Sequence, residues 1–317
     1  MSRTPVGVDI AKAKFDVAVY QEGKYKTKVF ANTPAGIQAF QAWLQPFSEP
    51  HVCLEATSTY GEALSERLAD AGVAVSVVNP ARIAAFARAE LARTKTDKGD
   101  AKLIARFCAL HTPELWQPLP RSIRELKALV RRLENLLEMH QMEDNRLLTA
   151  DPAVHDSLRT VLTTLAGQIA QVRTQIAQHI DNDPDLRDRR DLLDTIPGLG
   201  KATIPVLLSV LAAPDRFASA KQCAAYAGLT PAERQSGKYR GQTRLSKTGD
   251  ALLRKALYLP ALVAWRYNPV LRAFCERLKA RGMNGKAIVC AAMRKLLHIA
   301  FGVLKSNRPF DPHIALA

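Results

Sequence analysis

Residues 6–20, VGVDIAKAKFDVAVY, decide the fold of the first part of this 317-residue chain. The segments VGVDIA (6–11) and FDVAVY (15–20) are rich in β-branched and alternating apolar residues, which is typical of a β-hairpin. KTKVFA (26–31) follows as a third strand. Asp9 lies in the middle of the apolar first strand, where a carboxylate is costly to bury unless it binds something. The opening segment therefore predicts a sheet with a polar group in its interior.

The apolar periods of the next 60 residues predict helices and strands in alternation. In chain order they are a helix over 34–45, a strand HVCLEA over 51–56, a helix over 60–71, a strand VAVSVV over 73–78 and a further helix. Three strands followed by this alternation predict an α/β domain with a mixed sheet and helices on its faces. This is the plan of RuvC and ribonuclease H.

The remainder of the chain is mostly helical in pattern. Leucines at helical spacing in the segment RELKALVRRLENLLEMHQMEDNRLL (124–148) and a second stretch from about 154 to 180 predict two long amphipathic helices, broken at Asp151-Pro152. They fit an antiparallel hairpin, a dimerising coiled coil or a helical bundle within one subunit. We expect an α/β plus α protein with three parts: a catalytic domain over 1–118, a helical coiled-coil segment over 119–185 and a mostly helical domain over 186–317.

The charge of the chain is concentrated in its last third. Residues 1–194 contain 25 Lys and Arg and 25 Asp and Glu, whereas residues 195–317 contain 20 and 5. The net charge of +15 therefore lies in the last 123 residues. A basic module beside a neutral one predicts a polyanionic partner such as nucleic acid, although positive charge can also serve solubility alone.

The cysteines and the N-terminal sequence indicate the cellular compartment in which the protein is expected. Five cysteines are scattered without a CxxC pair, which argues against a disulfide framework or a zinc site and favours a reducing cytoplasm. The N-terminus lacks the apolar core of a signal peptide, and no uninterrupted apolar run reaches the roughly 18 residues of a membrane span. We expect a cytoplasmic protein without a membrane partner.

Four acids in the first domain are candidate metal ligands. Asp9 lies within a strand, Glu55 ends another strand, and Asp97 and Asp100 begin a predicted helix on one face. Each has a structural alternative: Asp9 could pair with a lysine such as Lys12, and the two helical acids could cap their helix. Taken together, four hard oxygen donors on one small domain predict Mg²⁺-dependent phosphoryl chemistry.

The basic domain contains a candidate nucleophile. Ser236 lies in a predicted polar loop, in a stretch rich in cations that could hold a phosphate: Lys238, Arg240, Arg244 and Lys247. A serine hydroxyl needs a base or a metal to become a nucleophile. The alternatives are a phosphate-contacting loop without covalent chemistry, or Ser246 or Tyr239 as the nucleophile.

The stretch IPGLGK (196–201) before a predicted helix resembles the hairpin of a helix-hairpin-helix. Backbone N–H groups at such a helix start, with Lys201 beside them, can hold a phosphate. A plain glycine turn between two packed helices would have the same sequence.

The motifs together resemble one family closely, the DEDD transposases of the IS110 insertion-sequence group, also called bridge recombinases. The matching stretches appear in order and cover nearly the whole chain: GVDIAKAKFDVAVY, LEATSTYGE, VSVVNPARIAAFARAE, RTKTDKGDAKLIARFC, LLDTIPGLGKATIPVLLS, DRFASAKQCAAYAGLTPAERQSGKYRGQTRLSKTGDALLRKALYLPA and MRKLLHIAFGVLKSNRPFD. Each motif alone is weak, and their combination is specific.

This resemblance implies a RuvC-type domain that holds Mg²⁺ with the four acids Asp9, Glu55, Asp97 and Asp100. It implies that Ser236 attacks DNA and forms a phosphoserine intermediate, with the serine of one subunit meeting the carboxylates of another. The helical segment would then join subunits into a dimer or a dimer of dimers. The family's non-coding bridge RNA pairs with donor and target DNA, so base pairing would choose the sequence.

Three other readings compete with a transposase. An actin-like ATPase or sugar kinase begins with a similar strand, but the second glycine-rich phosphate loop of that class is missing here. A Holliday-junction endonuclease would use the same four acids with water as the nucleophile. A non-catalytic nucleic-acid-binding protein would account for the basic domain and leave the four acids without a role.

Overall fold

The computed structural model describes residues 3–56, 59–90, 96–232, 235–236, 239–240 and 244–313. The chain forms two compact units, Met1–Pro118 and Leu119–Ala317. The helical segment and the basic segment that the sequence suggested as separate parts share one hydrophobic core in the second unit.

The first unit is a mixed sheet with helices. Its elements in chain order are β1 (Thr4–Ile10), β2 (Lys14–Gln21), β3 (Lys24–Ala31), α1 (Pro34–Leu44), β4 (Pro50–Glu55), α2 (Glu62–Asp70), β5 (Ala74–Val78), α3 (Pro80–Ala89) and α4 (Asp97–His111). This order of strands and helices confirms the one predicted from the apolar periods. The predicted ends shift by one or two residues because fraying and caps, rather than period, set the boundaries.

The strands of this sheet have the order β3-β2-β1-β4-β5. β2 is antiparallel to β1 and β3, while β4 runs parallel to β1 and β5 runs parallel to β4. The connection between β2 and β3 is two residues long, and both Glu22 and Gly23 have positive φ (50° and 79°). Two such residues match a turn whose twist suits the strands of a hairpin.

The two faces of the sheet pack against different helices. Even-numbered residues of β1, such as Val6 and Val8, lie in a core with Phe40 of α1 and Leu64 of α2. Odd-numbered residues face the other side, where Cys53 of β4 packs with residues of α3 and α4. Since side chains alternate along a strand, the odd-numbered acids of β1 and β4 share this second face.

Gly7 lets α4 lie directly on β1. A Cβ atom added to Gly7 would stand 2.2 Å from the carbonyl oxygen of Ala101 and 2.2 Å from the amide nitrogen of Ala105. Ala18, the partner of Gly7 across the hairpin, packs against the same two alanines. Small residues on both elements therefore bring the helix backbone close to the sheet and set its height above the strand.

The second unit is mostly helical. Its elements are α5 (Arg121–Leu147), α6 (His155–Asn182), α7 (Pro184–Asp194), α8 (Ile204–Leu211), α9 (Ala220–Tyr226), β6 (Pro231–Ala232), β7 (Gln235–Ser236), β8 (Tyr239–Arg240), β9 (Arg244–Leu245), α10 (Ala251–Ala256), α11 (Tyr258–Tyr267), α12 (Pro269–Ala280) and α13 (Gly285–Ser306). The two long helices α5 and α6 pack on each other as an antiparallel hairpin, and the His179 side chain reaches the Ser122 carbonyl 2.8 Å away.

α13 is the central helix of the second unit. It is long and apolar enough to cross a bilayer by length and composition, and 61% of its most apolar window is buried inside the protein. Its apolar side chains, among them Leu296, Leu297 and Ala300, are buried in the core of the unit. The apolar character of this helix is therefore accounted for by packing against its own protein.

Candidate active site

Three carboxylates form a row across the sheet. Asp9 on β1 is directly opposite Asp16 on β2. On the other side β4 runs parallel to β1 with Val8 opposite Leu54, so Glu55 continues the ladder beside Asp9. All three lie on the face covered by α3 and α4, because they are two residues from Gly7, Ala18 and Cys53 respectively on the same strands. Asp9 and Glu55 also end parallel strands, where catalytic groups gather in α/β folds.

The first turn of α4 contributes Asp97 and Asp100 above this row. The N-cap of the helix is Thr96, whose side-chain oxygen accepts a hydrogen bond from the Gly99 N–H at 3.1 Å. Because Thr96 already caps the helix, capping does not account for the two aspartates, although their charges still suit the helix dipole. Asp97 and Asp100 therefore remain candidates for binding a cation.

Three neighbouring carboxylates act electrostatically on Asp9. Burial raises the pKa of Asp9 above its ordinary value, and the neighbouring charges of Asp100, Asp97 and Asp16 raise it further. A carboxyl group whose pKa is raised by like charges sits in a field that attracts cations. Asp9, Asp97 and Asp100, which are up to 91 positions apart in sequence, thus belong to one electrostatic site.

Lys14 is the lysine that the structure places among these acids. Its Nζ donates to Asp16 Oδ2 and to Asp97 Oδ2, both at 3.0 Å. The second bond holds the pKa of the Asp97 carboxyl below its ordinary value. The pairing of Asp9 with Lys12 that the sequence suggested is replaced here by ion pairs of Lys14 with two other acids.

The acids suit a hard divalent cation by their chemistry. All are carboxylate oxygen donors, the ligands that Mg²⁺ prefers, and their combined charge at Asp9 is only partly offset by Lys14. Among the described residues, no three His, Cys, Asp or Glu side chains stand together as a ready metal cage. In this structure one oxygen of Asp97 is bonded to the ammonium group of Lys14.

Ser236 lies on a short strand, which corrects the expectation of a loop. Its strand β7 pairs with β8, with Ser236 opposite Tyr239, while β6 pairs with β9 around them. The two pairs are nested in sequence. The side chains of Ser236, Tyr239 and Arg240, and the whole of Lys238, lie outside the described residues, so the contacts predicted for them stay predictions.

The two nested strand pairs, β6 with β9 and β7 with β8, form a ribbon. Glycines at its base hold it to the rest of the unit. Gly228 and Gly249 both have positive φ (67° and 136°), and a Cβ on Gly249 would stand 2.1 Å from the Tyr226 carbonyl oxygen. Arg254 on α10 donates to the Ala227 carbonyl at 3.0 Å. These contacts hold the two described ends of the ribbon against α9 and α10.

The described cations of the ribbon and of the glycine turn are exposed. Arg244 begins β9, Lys247 follows that strand, and Lys201 lies in the turn between α7 and α8. In that turn a Cβ on Gly198 would stand 2.5 Å from the Ala264 Cβ, so packing against α11 accounts for this glycine. Gly200 has open space around it, and its exposed backbone precedes α8, as the phosphate-binding hypothesis requires.

The sequence interpretation missed Asp16 and Lys14. A signal was present, because a hairpin in which Ile10 meets Phe15 necessarily places Asp9 opposite Asp16. Lys14 could not be found in the same way. Its partner Asp97 is 83 positions away, and the contact depends on how α4 lies across the sheet.

Comparison with known proteins gives two matches to protein families. Residues 6–150 match the DEDD transposase family of IS110, and residues 190–276 match a family described as transposase IS116/IS110/IS902. A pilin gene-inverting protein of Moraxella bovis is 37% identical over 324 residues, which cover 99% of both chains.

Insertion elements supply other relatives. The transposase for insertion sequence element IS1328 of Yersinia enterocolitica is 28% identical over 61% of this chain and 55% of its own length. An uncharacterized 42 kDa protein of insertion element IS900 from Mycobacterium paratuberculosis is 28% identical over 48% of this chain and 39% of its own. With both family regions and a full-length relative in agreement, the chain belongs to the IS116/IS110/IS902 transposase family and is a DNA transposase or recombinase.

Proposed function

We propose that this transposase cuts and rejoins DNA through a carboxylate site that holds Mg²⁺ in its first unit and through Ser236 as the nucleophile in its second. The observation that carries the proposal is the convergence of charge on Asp9 from Asp97 and Asp100. A fold that only needed stability would not gather like charges around the half-buried Asp9, because like charges repel one another more strongly where burial reduces their contact with water.

The sheet supports a RuvC-like or ribonuclease-H-like catalytic domain. The order β3-β2-β1-β4-β5, with β2 running opposite to the other four strands, is a mixed sheet of the kind expected from the sequence. It puts Asp9 on the central strand, Glu55 on the adjacent parallel strand and the two α4 acids on the covering helix. In such a plan the acids lie where a DNA phosphate can approach the ends of the strands.

Asp9, Glu55, Asp97 and Asp100 would hold the metal ion. When bound, Mg²⁺ supplies polarisation of the scissile phosphate and a lower pKa for an attacking hydroxyl. The chain itself contributes the oxygen ligands and, through the close packing of α4 on Gly7, their fixed spacing.

The serine step then balances without a nucleotide. The Ser236 Oγ gives up its proton and forms a bond to phosphorus, and the bond from phosphorus to the 3′ oxygen breaks. That oxygen leaves as a free 3′-hydroxyl, and the DNA end stays attached to Ser236 as a phosphodiester. After strand exchange a new 3′-hydroxyl attacks the same phosphorus and releases the serine. The bond energy is conserved, so rejoining requires no further energy source.

The partners of this reaction are donor and target DNA together with the non-coding bridge RNA that the family resemblance implies. The exposed cations Lys201, Arg244 and Lys247, and with them Lys238 and Arg240, would contact the phosphate backbone. Base pairing with the RNA would select the sequence, and the protein would read backbone and shape. We place the reaction in the cytoplasm.

A homo-oligomer, a dimer or a dimer of dimers, fits the far end of the α5–α6 hairpin. Five large apolar side chains are exposed in this region: Met139, Met142, Leu148, Val154 and Val161. Apolar groups gathered at a protruding tip favour association with a second copy. The segment over 119–185 is therefore the proposed dimerising element, and Ser236 of one subunit would meet the carboxylates of another.

The test is a denaturing gel. Full-length protein, RNA transcribed from the flank of its gene, labelled donor and target DNA and Mg²⁺ are combined. We expect a protein–DNA adduct from the wild type and from Ser246→Ala, and none from Ser236→Ala or Asp9→Asn. An adduct with Ser236→Ala would overturn the serine assignment. Cleaved DNA with no adduct from any protein would favour the junction endonuclease that uses water.

A mixing experiment tests the composite site. Ser236→Ala retains the carboxylates and Asp9→Asn retains the serine, so a mixed oligomer of the two variants contains one intact site. We expect the mixture to recover adduct formation that neither variant has alone. If the mixture stays inactive while subunit exchange is shown by differently tagged copies, each site is built within one subunit.

A further inference from the structure

Asp16 is a fifth carboxylate on the catalytic face, and it is the most enclosed of those described. The residue is only 7% exposed and stands opposite Asp9 on the neighbouring strand. A buried carboxylate requires a cation or several hydrogen bonds to offset the loss of water. Its described partner is Lys14, two residues earlier on the same strand and thus on the same face.

Lys14 connects two elements that are far apart in sequence. One ammonium group lies 3.0 Å from Asp16 on β2 and 3.0 Å from Asp97 on α4. Its side chain is 45% exposed, whereas that of Asp16 is 10% exposed. The buried acid Asp16 therefore holds the lysine in place. The exposed contact of the lysine with Asp97 can be exchanged for water or for a phosphate at little cost.

From this geometry we infer that Lys14 is a positioning residue that serves as a displaceable counter-ion of the carboxylate site. The inference rests on the proposed metal-dependent function. In the metal-free protein Lys14 holds Asp97 toward the sheet and offsets the charge of the acids. A divalent cation that takes Asp97 as a ligand displaces the ammonium group, and Asp16 retains the lysine beside the site.

The consequence is a competition that sets the strength of metal binding. A positive charge near the carboxylates opposes the arrival of a second cation, so loss of the lysine charge must strengthen metal binding. A unit charge and a divalent ion about 6 Å apart in water repel each other enough to change affinity about tenfold. A purely structural ion pair would leave metal affinity unchanged or lower it through disorder of α4.

The experiment measures Mn²⁺ binding to the full-length protein without nucleic acid, by calorimetry or by the electron paramagnetic resonance signal of free Mn²⁺. We expect Lys14→Gln to bind Mn²⁺ about tenfold more tightly than the wild type. Lys14→Arg keeps the charge and is expected to stay within about threefold of the wild type. The matched control is Lys12→Gln, which removes the same charge from the exposed connection just before β2; among the described residues Lys12 makes no ion pair.

The outcomes separate this inference from the proposed function. If the wild type binds Mn²⁺ and Asp9→Asn weakens that binding, the metal site stands. The counter-ion inference is then overturned if Lys14→Gln binds no more tightly than Lys12→Gln. If the wild type does not bind Mn²⁺, or Asp9→Asn leaves binding unchanged, the proposed metal function fails. Should Lys14→Gln fold poorly in the absence of metal, its melting temperature must rise more with Mn²⁺ than that of the wild type; an equal rise overturns the inference.

Discussion

Asp9 and Asp16 stand opposite each other on β1 and β2, so two carboxylates are neighbours on one face of the sheet. Like charges directly opposite on antiparallel strands destabilise a fold. Only Asp16 of the two is joined to Lys14, and the pKa of Asp9 is raised by burial and by the acids around it. We therefore expect the candidate active site to lower the stability of the metal-free protein.

Replacement of Asp9 by asparagine is expected to stabilise the metal-free protein while abolishing metal binding. The gain at neutral pH should be about 1 kcal/mol, the upper range for relief of opposed like charges. Because the folded pKa of Asp9 lies above its ordinary value of 3.8, the contribution of Asp9 to stability is fully present below pH 3.8 and is lost as pH rises through the folded pKa.

Urea unfolding in the presence of a chelator checks this expectation. The difference between Asp9→Asn and the wild type should be largest near neutral pH and should shrink as the pH falls toward the ordinary pKa. Glu22→Gln, an exposed acid in the turn after β2, is the control and should change little. A destabilised Asp9→Asn protein at neutral pH would mean that Asp9 has favourable partners in the folded state.

Gly7→Ala tests the contact that places α4 on the sheet. The new methyl group would meet backbone atoms of Ala101 and Ala105 at 2.2 Å, so the helix must move away from β1. We expect a loss of about 2–3 kcal/mol in unfolding free energy, in the range for overpacked cores. Mn²⁺ affinity should also fall, because Asp97 and Asp100 move with the helix.

Gly167→Ala provides a control of opposite sign. Gly167 lies within α6 and a Cβ there meets nothing within 4 Å, so alanine should stabilise the helix by about 0.5–1 kcal/mol. Chemical denaturation of Gly7→Ala, Gly167→Ala and the wild type measures both changes in the free energy of unfolding. A neutral Gly7→Ala would show that α4 does not determine the geometry of the acids.

The cations of the second unit are expected to govern the salt dependence of nucleic-acid binding. Each of Lys201, Arg244 and Lys247 that contacts a phosphate should, when changed to glutamine, reduce the slope of log K against log salt by about 0.9 on duplex DNA. Fluorescence anisotropy at several salt concentrations measures the slope. Lys24→Gln, at an exposed lysine of the first unit and outside the basic last 123 residues, should leave it unchanged. Equal slopes for all four variants would place the phosphate contacts on other residues.

Local periodicity determined much of the first unit. Alternation along 6–20 and helical spacing after it are properties of neighbouring residues, and burial of the apolar positions leaves one order of strands and helices. The hairpin register also follows from nearby residues, and this register alone pairs Asp9 with Asp16. The charge imbalance of the last 123 residues is a matter of composition and requires no structure at all.

Candidate ligands followed from the chemistry of burial. Asp9 was a candidate because a carboxylate is solvated better by water than by the apolar surroundings of a buried strand. That argument requires the sequence of one strand only. Asp97 and Asp100 were ambiguous, since capping explained them equally well. In the structure Thr96 is the N-cap of α4, so capping does not account for the two aspartates, and their role as metal ligands stays a prediction.

Sequence patterns alone therefore predict the identity of the elements and the charge of each part, and they single out the acids Asp9, Glu55, Asp97 and Asp100 as candidates. That Lys14 reaches Asp97 across 83 positions, and that Ser236 lies on a paired strand, is visible only in the folded chain. The difference lies in the range of the interactions. Periodicity and solvation act between near neighbours, whereas the approach of α4 to β1 depends on how small residues from distant segments pack together.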